Sequence, residues 1–262
     1  MSLNHLSFSQ LNMLLRCGVQ YERRYVNGEK IAPSGSMVRG RCGHKSEEVN
    51  FRQKIKSNED LPLETVKDIF SDEWEKSKYQ IAWAKDEIDG GSPSKVEGEY
   101  KDVGISLVDV YHRELAPAAI PIAVEDKFTV HFDGGYPDLV GIIDRIDEGD
   151  QIVDLKFVGK SPSEGDAAKD LQLICYDLGY RQTRKKKPSL LRKEYAISTK
   201  KPKTMIQEVP AFQDEQIQAL LRRLERAIIA IGKGVFLPAA IGSWGCSEKW
   251  CGFWNSCAFR QG

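Results

Sequence analysis

The sequence predicts a mixed α/β fold on two observations: an apolar β-hairpin near the middle of the chain and helical periodicity on both sides of it. The hairpin is YPDLVGIIDRIDEGDQIVDLKFVGK, where apolar and β-branched runs at Leu139 to Ile146 and Ile152 to Val158 flank the turn-forming Glu148-Gly149-Asp150. With those three residues as the loop, Asp147 pairs with Gln151, Ile146 pairs with Ile152, and Asp144 falls opposite Asp154. Carboxylates about 5 Å apart on paired strands repel, and a cation between them reverses that cost. Lys156 lies on the same face as Asp154, roughly 6.6 Å further along the strand. Ile143, Val153 and Leu155 are expected on one face, with Ile142, Ile146 and Ile152 sharing the other with the charges, so the strands read as interior. A two-residue loop would instead separate Asp144 from Asp154. Two interior carboxylates and an ammonium suit metal-assisted attack on a phosphate.

The helical signals follow. Downstream, AAKDLQLICYDLGYRQTR carries apolar residues at Leu171, Ile174, Cys175 and Leu178, a helical period that puts Gln172 and Tyr176 on one face. That pair has the chemistry to hydrogen-bond a phosphate or a water. Upstream, His44 in GSMVRGRCGHKSEEVNFRQKI begins a helix after a Gly-rich entry, with Glu48 one turn on. Residues 46–98 read as helices broken by Pro and Gly, and are taken as a helical insertion in one domain spanning 1–262.

Composition narrows the class. No apolar run approaches the 18 or so residues of a membrane span, and MSLNHLSFSQ lacks the basic start and apolar stretch of a signal peptide, so a soluble, cytoplasmic protein is expected. Thirty-eight basic and thirty-eight acidic residues cancel, so any nucleic-acid binding must use local patches or bound cations. Arg181, Arg184, Lys185, Lys186 and Lys187 form such a cluster: either a solvated run or a phosphate-contacting one.

Six cysteines without a secretory signal point to metal binding before disulfides. Cys246, Cys251 and Cys257 are spaced C-x4-C-x5-C. Cys17, after a helix capped by Ser7 or Ser9, is the leading candidate for a fourth ligand, with Cys42 and Cys175 behind it. Four thiolates suit an iron-sulfur cluster or zinc, and the long separation of Cys17 from the others favours a cluster that clamps segments 1–25 and 240–262 together. Trp250, Phe253, Trp254 and Phe259 are expected to shield that centre rather than to stack on bases.

In order and spacing these motifs resemble the RecB-like branch of the PD-(D/E)XK nuclease superfamily, the branch of the CRISPR-associated exonucleases. Asp144 in GIIDRID matches its G-x-x-D-R aspartate, Asp154 and Lys156 in VDLKF its D-x-K core, Gln172 and Tyr176 its Q-x-x-x-Y helix, and His44 its first motif. Cys17, Cys246, Cys251 and Cys257 match the ligands of its 4Fe-4S cluster, although many members space the last three as C-x2-C-x5-C. The resemblance implies a restriction-endonuclease-like mixed sheet flanked by helices. It also implies Mg²⁺ or Mn²⁺ held by His44, Asp144, Asp154 and the Leu155 carbonyl, and DNA cut from a free end, with a helicase or recombination protein as a possible partner. No phosphate-binding loop of an NTPase motor is present. Two rival readings are an accessory protein that binds DNA without cutting it, which an intact motif set argues against, and a structure-selective endonuclease.

Overall fold

A computed structural model describes residues 5–83, 87–88 and 92–260, so parts of the expected insertion and of both terminal segments lie outside the described residues. In chain order the elements are β1 (His5–Ser7), α1 (Phe8–Arg16), α2 (Gly18–Tyr21), α3 (Gly35–Ser57), α4 (Leu63–Ser77), α5 (Pro93–Glu114), β2 (Pro121–Val130), β3 (Asp138–Asp147), β4 (Gln151–Val158), α6 (Leu171–Arg184), β5 (Leu190–Ile197), β6 (Lys203–Pro210) and α7 (Asp214–Gly232).

The hairpin forms between β3 and β4 with the expected register, Asp147 opposite Gln151 and Ile146 opposite Ile152. Its loop is Glu148 to Asp150, and the left-handed Asp150 (φ 62°) is held by the Tyr180 hydroxyl at 2.6 Å. The fold is the predicted mixed α/β class, a six-stranded sheet between helices. β4 and β5 run parallel and are joined through α6, as a crossover connection requires, whereas β2, β3 and β6 add antiparallel pairs.

Strand alternation in β4 assigns the two faces. Val153, Leu155 and Phe157 enter a core with residues of α3, α4 and α5, while Ile152 enters the opposite core with α1, α6 and α7. Asp154 and Lys156 share the Ile152 face, beneath α6. Ile143 departs from expectation by packing into the Ile152 core. The alternation changes face next to the left-handed Glu125, which lies between the residues of β2 that pair with Arg145 and Ile143.

A fork in the sheet follows from this pairing. β2 occupies one edge of β3 along most of its length, so β1, paired at 138–140, and β4, paired at 145–147, must share the other edge. Between them residues 141–144 have no strand partner on that side among the described residues. Asp144 sits at this notch.

The sequence expectation for His44 needs correction. Ser34 caps α3 by accepting from Met37 N–H, so the helix starts nine residues before His44 and the Gly-rich stretch lies inside it. Gly43 is required by packing rather than by a turn, because a Cβ there would come within 2.8 Å of the Phe157 ring. At the other end of the chain, Ser7 and Gln10 close a capping box on α1, which places Cys17 just past its last turn.

Candidate active site

Asp154 is fully buried on β4. Its Oδ1 accepts from Lys156 Nζ at 2.7 Å, and Lys156 also donates to Gln172 Oε1 at 3.1 Å. Gln172 in turn donates from Nε2 to the Tyr176 hydroxyl at 2.7 Å. The structure thus joins the D-x-K tripeptide to the helical Gln/Tyr pair through one chain of hydrogen bonds. Burial pushes the Asp154 carboxyl up, Lys156 opposes that, and the Asp144 charge adds to it. Burial also holds the Tyr176 phenol well above its ordinary value, so its proton stays available for donation.

Asp144 does not continue the ladder. Its Oδ2 instead accepts the Leu155 N–H at 2.8 Å and lies 3.6 Å from His44 Nδ1 on α3. Beside them stands Glu125, which the sequence reading did not single out. It lies in β2 between the pairs Val124–Arg145 and Asp126–Ile143, which keep one register, and its φ of 52° is left-handed for a non-glycine residue. Such a conformation costs on the order of 1–3 kcal/mol and persists where surroundings enforce it, often at functional sites. His44, Glu125 and Asp144 bring ligand atoms within 4.8 Å of one another, the only such group of three among the described residues. Burial first, then the charges of Asp144 and Glu48, push the Glu125 carboxyl up to about 7. A divalent cation would relieve that repulsion.

A second lysine completes the surroundings. Lys193 on β5, opposite Asp154 in the parallel ladder, is hydrogen-bonded to Asp170 Oδ2 and lies 3.6 Å from Asp154 Oδ2. Asp170 is the N-cap of α6, its Oδ1 accepting from Gln172 and Leu173 N–H. The contacts therefore close a ring from Asp154 through Lys156, Gln172, Asp170 and Lys193 back to Asp154. Asp154 Oδ2 has no hydrogen-bond partner among the described residues despite being buried. A buried carboxylate oxygen that has an ion-pair contact but no hydrogen bond, near a His/Glu/Asp trio, fits a divalent metal, which takes oxygen and imidazole ligands.

The Arg145 next to Asp144 serves the scaffold. Its fully buried guanidinium is bidentate to Asp147 (2.8 and 3.0 Å), bonds Glu194 and the Tyr111 hydroxyl (both 2.9 Å), and lies 4.4 Å from the Phe51 ring centre. Removing one partner of such a buried pair costs roughly 3–5 kcal/mol.

Cys17, Cys246, Cys251 and Cys257 line one small cavity together with Arg23, Phe253 and Trp254. The terminal segments meet there: Gly18 N–H donates to Leu237 O at 2.7 Å, an approach so close that a Cβ on Gly18 would lie 2.7 Å from the Leu237 nitrogen. Arg23 stacks 4.4 Å from the Phe253 ring and donates to Ser256 Oγ at 2.9 Å. Cys42 and Cys175, the other candidates, lie buried in the two cores, where burial pushes each thiol up to about 12. The basic run is largely neutralised: Arg181 pairs with Asp177 and Asp214, Arg184 with Asp126, Lys186 with Asp150 and Lys187 with Asp214. Lys185 occupies the left-handed C-cap of α6.

A mixed sheet carrying an acidic, lysine-bearing notch is the framework of a phosphodiester-cleaving class. The profile of the PD-(D/E)XK nuclease superfamily matches residues 5–258, and the chain belongs to that superfamily. No curated protein matches it significantly. Among solved structures, a candidate exonuclease from Eubacterium rectale is similar in fold, with a TM-score of 0.54 and 15% identity over 94% of this chain and 87% of its own. A protein designated SSO0001 aligns with a TM-score of 0.45 and 14% identity, over 100% of this chain and 89% of its own.

Proposed function

We propose that this nuclease is a Mg²⁺- or Mn²⁺-dependent deoxyribonuclease of the RecB-like branch that removes nucleotides from DNA ends during recombination, repair or end processing. The observation that carries the reading is the His44, Glu125 and Asp144 trio, with the buried Asp154 oxygen that lacks a hydrogen bond near it. His44, Asp144, Asp154 and the Leu155 carbonyl would hold the ion, with Glu125 added to the set. The ion supplies Lewis acidity and a nucleophile at neutral pH. Lys156, fixed by Asp154 and Gln172, offsets charge that accumulates on the phosphate oxygens. The Tyr176 hydroxyl and Gln172 orient the strand, and any exposed part of the Arg181 to Lys187 run would meet the backbone leading away.

The four cavity-lining cysteines are proposed to bind a 4Fe-4S cluster. Four thiolates drawn from two segments far apart in the chain suit such a cluster, with structural zinc as the alternative. No helix among the described residues is long and apolar enough to cross a membrane, and the free thiols suit a reducing cytoplasm. The test is cleavage of end-labelled linear DNA against covalently closed circular DNA, with and without chelator. Linear DNA should be degraded only with metal, and Asp154→Asn should abolish that. Full activity of Asp154→Asn, or equal cutting of the closed circle, would overturn the exonuclease site.

A further inference from the structure

Helix α7 turns two different flanks to solvent. Its core face carries Ile217, Leu220, Leu224, Ala227 and Ile231, all buried. To one side of that face Ala219, Arg222, Arg223, Arg226 and Ala230 recur three or four residues apart and so form a single stripe. The stripe is one wall of a groove of about 520 Å³. The other wall is aliphatic, with Leu14 and Leu15 from the end of α1 and Val235 and Leu237 from the segment after α7. Leu15, Val235 and Leu237 are 49%, 48% and 72% exposed, and aliphatic side chains gathered in one open recess mark a binding surface. That wall is anchored at both ends, because Val235 N–H donates to Ala230 O at 2.9 Å and Gly18 N–H to Leu237 O at 2.7 Å. Among the described residues the guanidinium groups of Arg222, Arg223 and Arg226 have no ion pair and no hydrogen bond. Glu225, the acidic residue of the same stretch, lines a separate groove on the other flank of α7 with Phe132 and Tyr136.

We propose that this groove receives an acidic amphipathic helix of a partner protein, with aliphatic anchors in the recess and carboxylates against the arginine wall. Helices dock in grooves through apolar side chains at i, i+3, i+4 and i+7, with polar residues along the flank. The stripe from Ala219 to Ala230 runs about 16 Å along the α7 axis, the length of three turns of such a helix. Charge selects the occupant. Three unpaired guanidinium groups on one wall repel a cationic segment and match Asp or Glu residues spaced three or four apart. A second copy of this chain docking by the same face would set arginine against arginine, since a two-fold contact puts one patch on both sides. Nucleic acid would satisfy the arginines alone. No aromatic ring lines the groove for bases to stack on, and Leu15, Val235 and Leu237 gain nothing from a phosphate. A segment that is both apolar and acidic uses both walls. The groove shares no residue with the His44, Glu125 and Asp144 trio, so its occupant need not touch the metal site.

The test uses the full chain and a synthetic, fluorescently labelled helical peptide of about eighteen residues, with Leu at i, i+3, i+4 and i+7 and Glu along one flank. Two counterparts carry Gln or Lys in place of each Glu, and anisotropy reads binding. The Glu peptide should bind about three- to a hundredfold more tightly than the Gln peptide, the range expected of three exposed ion pairs, and the Lys peptide should bind worst. The triple variant Arg222→Glu, Arg223→Glu, Arg226→Glu should reverse that order, so that the Lys peptide binds best, a reversal that misfolding would not produce. Leu237→Ser should weaken all three peptides, because the aliphatic wall serves each of them. Failure of the unaltered protein to bind the Glu peptide, or equal affinity for the Glu and Lys peptides, overturns the proposal. So does a triple variant that loses oligo(dT) binding in excess chelator while its peptide preference is unchanged, which would give the arginines to nucleic acid. Self-association that depends on Leu237, with no peptide bound, would give the groove to a second copy and overturn it as well.

Discussion

Glu47→Gln should flatten the pH dependence of stability. Glu47 lies one turn after His44 on α3 and is fully buried, and among the described residues neither carboxyl oxygen has a hydrogen-bond partner. The nearby Arg145 is already committed to Asp147 and Glu194, so burial dominates and pushes the Glu47 carboxyl from an ordinary 4.5 up to about 8. Between those values the folded chain holds a proton that the unfolded chain releases. Its contribution is therefore fully present below about pH 4.5, declines as pH rises, and is lost as pH passes about 8. At 1.36 kcal/mol per pH unit, a rise of about 3.5 amounts to roughly 5 kcal/mol, of which about 3 is gone by pH 7. Glutamine keeps the shape and cannot ionise. Urea unfolding of both proteins at pH 5, 6, 7 and 8 should show the variant gaining on the natural protein at each step, by a total of about 4 kcal/mol from pH 5 to 8. Parallel curves would refute the idea that Glu47 is held protonated by its surroundings.

Glu125→Gln should weaken Mn²⁺ binding, followed by calorimetry, by roughly ten- to a hundredfold or more, since even residues outside the ligand set shift metal affinity that far; unchanged affinity would remove Glu125 from the metal site. Lys193→Met leaves the Asp154 and Asp170 carboxylates without their shared cation, so it should cost roughly 3–5 kcal/mol of stability and lower kcat more than it raises KM, with Lys193→Arg partly restoring kcat. Cys17→Ser should reduce metal or iron content and melting temperature together, because the cross-link closes a loop of nearly the whole chain, worth roughly 4–5 kcal/mol. Cys175→Ser should leave the content intact, and full content in Cys17→Ser would show that the terminal clamp is wrong.

What the sequence made legible were local relations. The hairpin register followed from a three-residue turn and a period of two, and the structure pairs Asp147 with Gln151 as those rules require. The Gln172 and Tyr176 side chains meet because helical residues four apart are neighbours on one face. Glu125 escaped because a left-handed glutamate in a strand carries no mark in sequence, and its partners lie on β3 and α3. Lys193 escaped for a related reason. Its position opposite Asp154 depends on the parallel pairing of β4 with β5 across an intervening helix, which sequence separation hides. The start of α3 was misplaced because three glycines resemble a loop, although one of them is there to admit Phe157. The expectation that Trp250 shields the cysteine centre failed because an aromatic residue near a cysteine does not reveal which way it faces.

The fork in the sheet explains why these residues can meet at all. Had β4 paired with β3 along its full length, the backbone beyond Arg145 would be occupied by a ladder and Leu155 N–H would be bonded across it. Because β1 takes the start of β3 and β4 its end, the Asp144 carboxylate is free to accept that N–H and to reach His44. The left-handed Glu125 lies on the opposite edge of β3, between the residues that pair with Ile143 and Arg145, and brings a third candidate ligand to the same notch. Repulsion among these carboxylates is then opposed from below by Lys156 and Lys193, one fixed by the α6 glutamine and the other by the α6 cap. The geometry of the candidate site is therefore set by where pairing stops, and the ring closed through α6 holds Asp154 at that boundary.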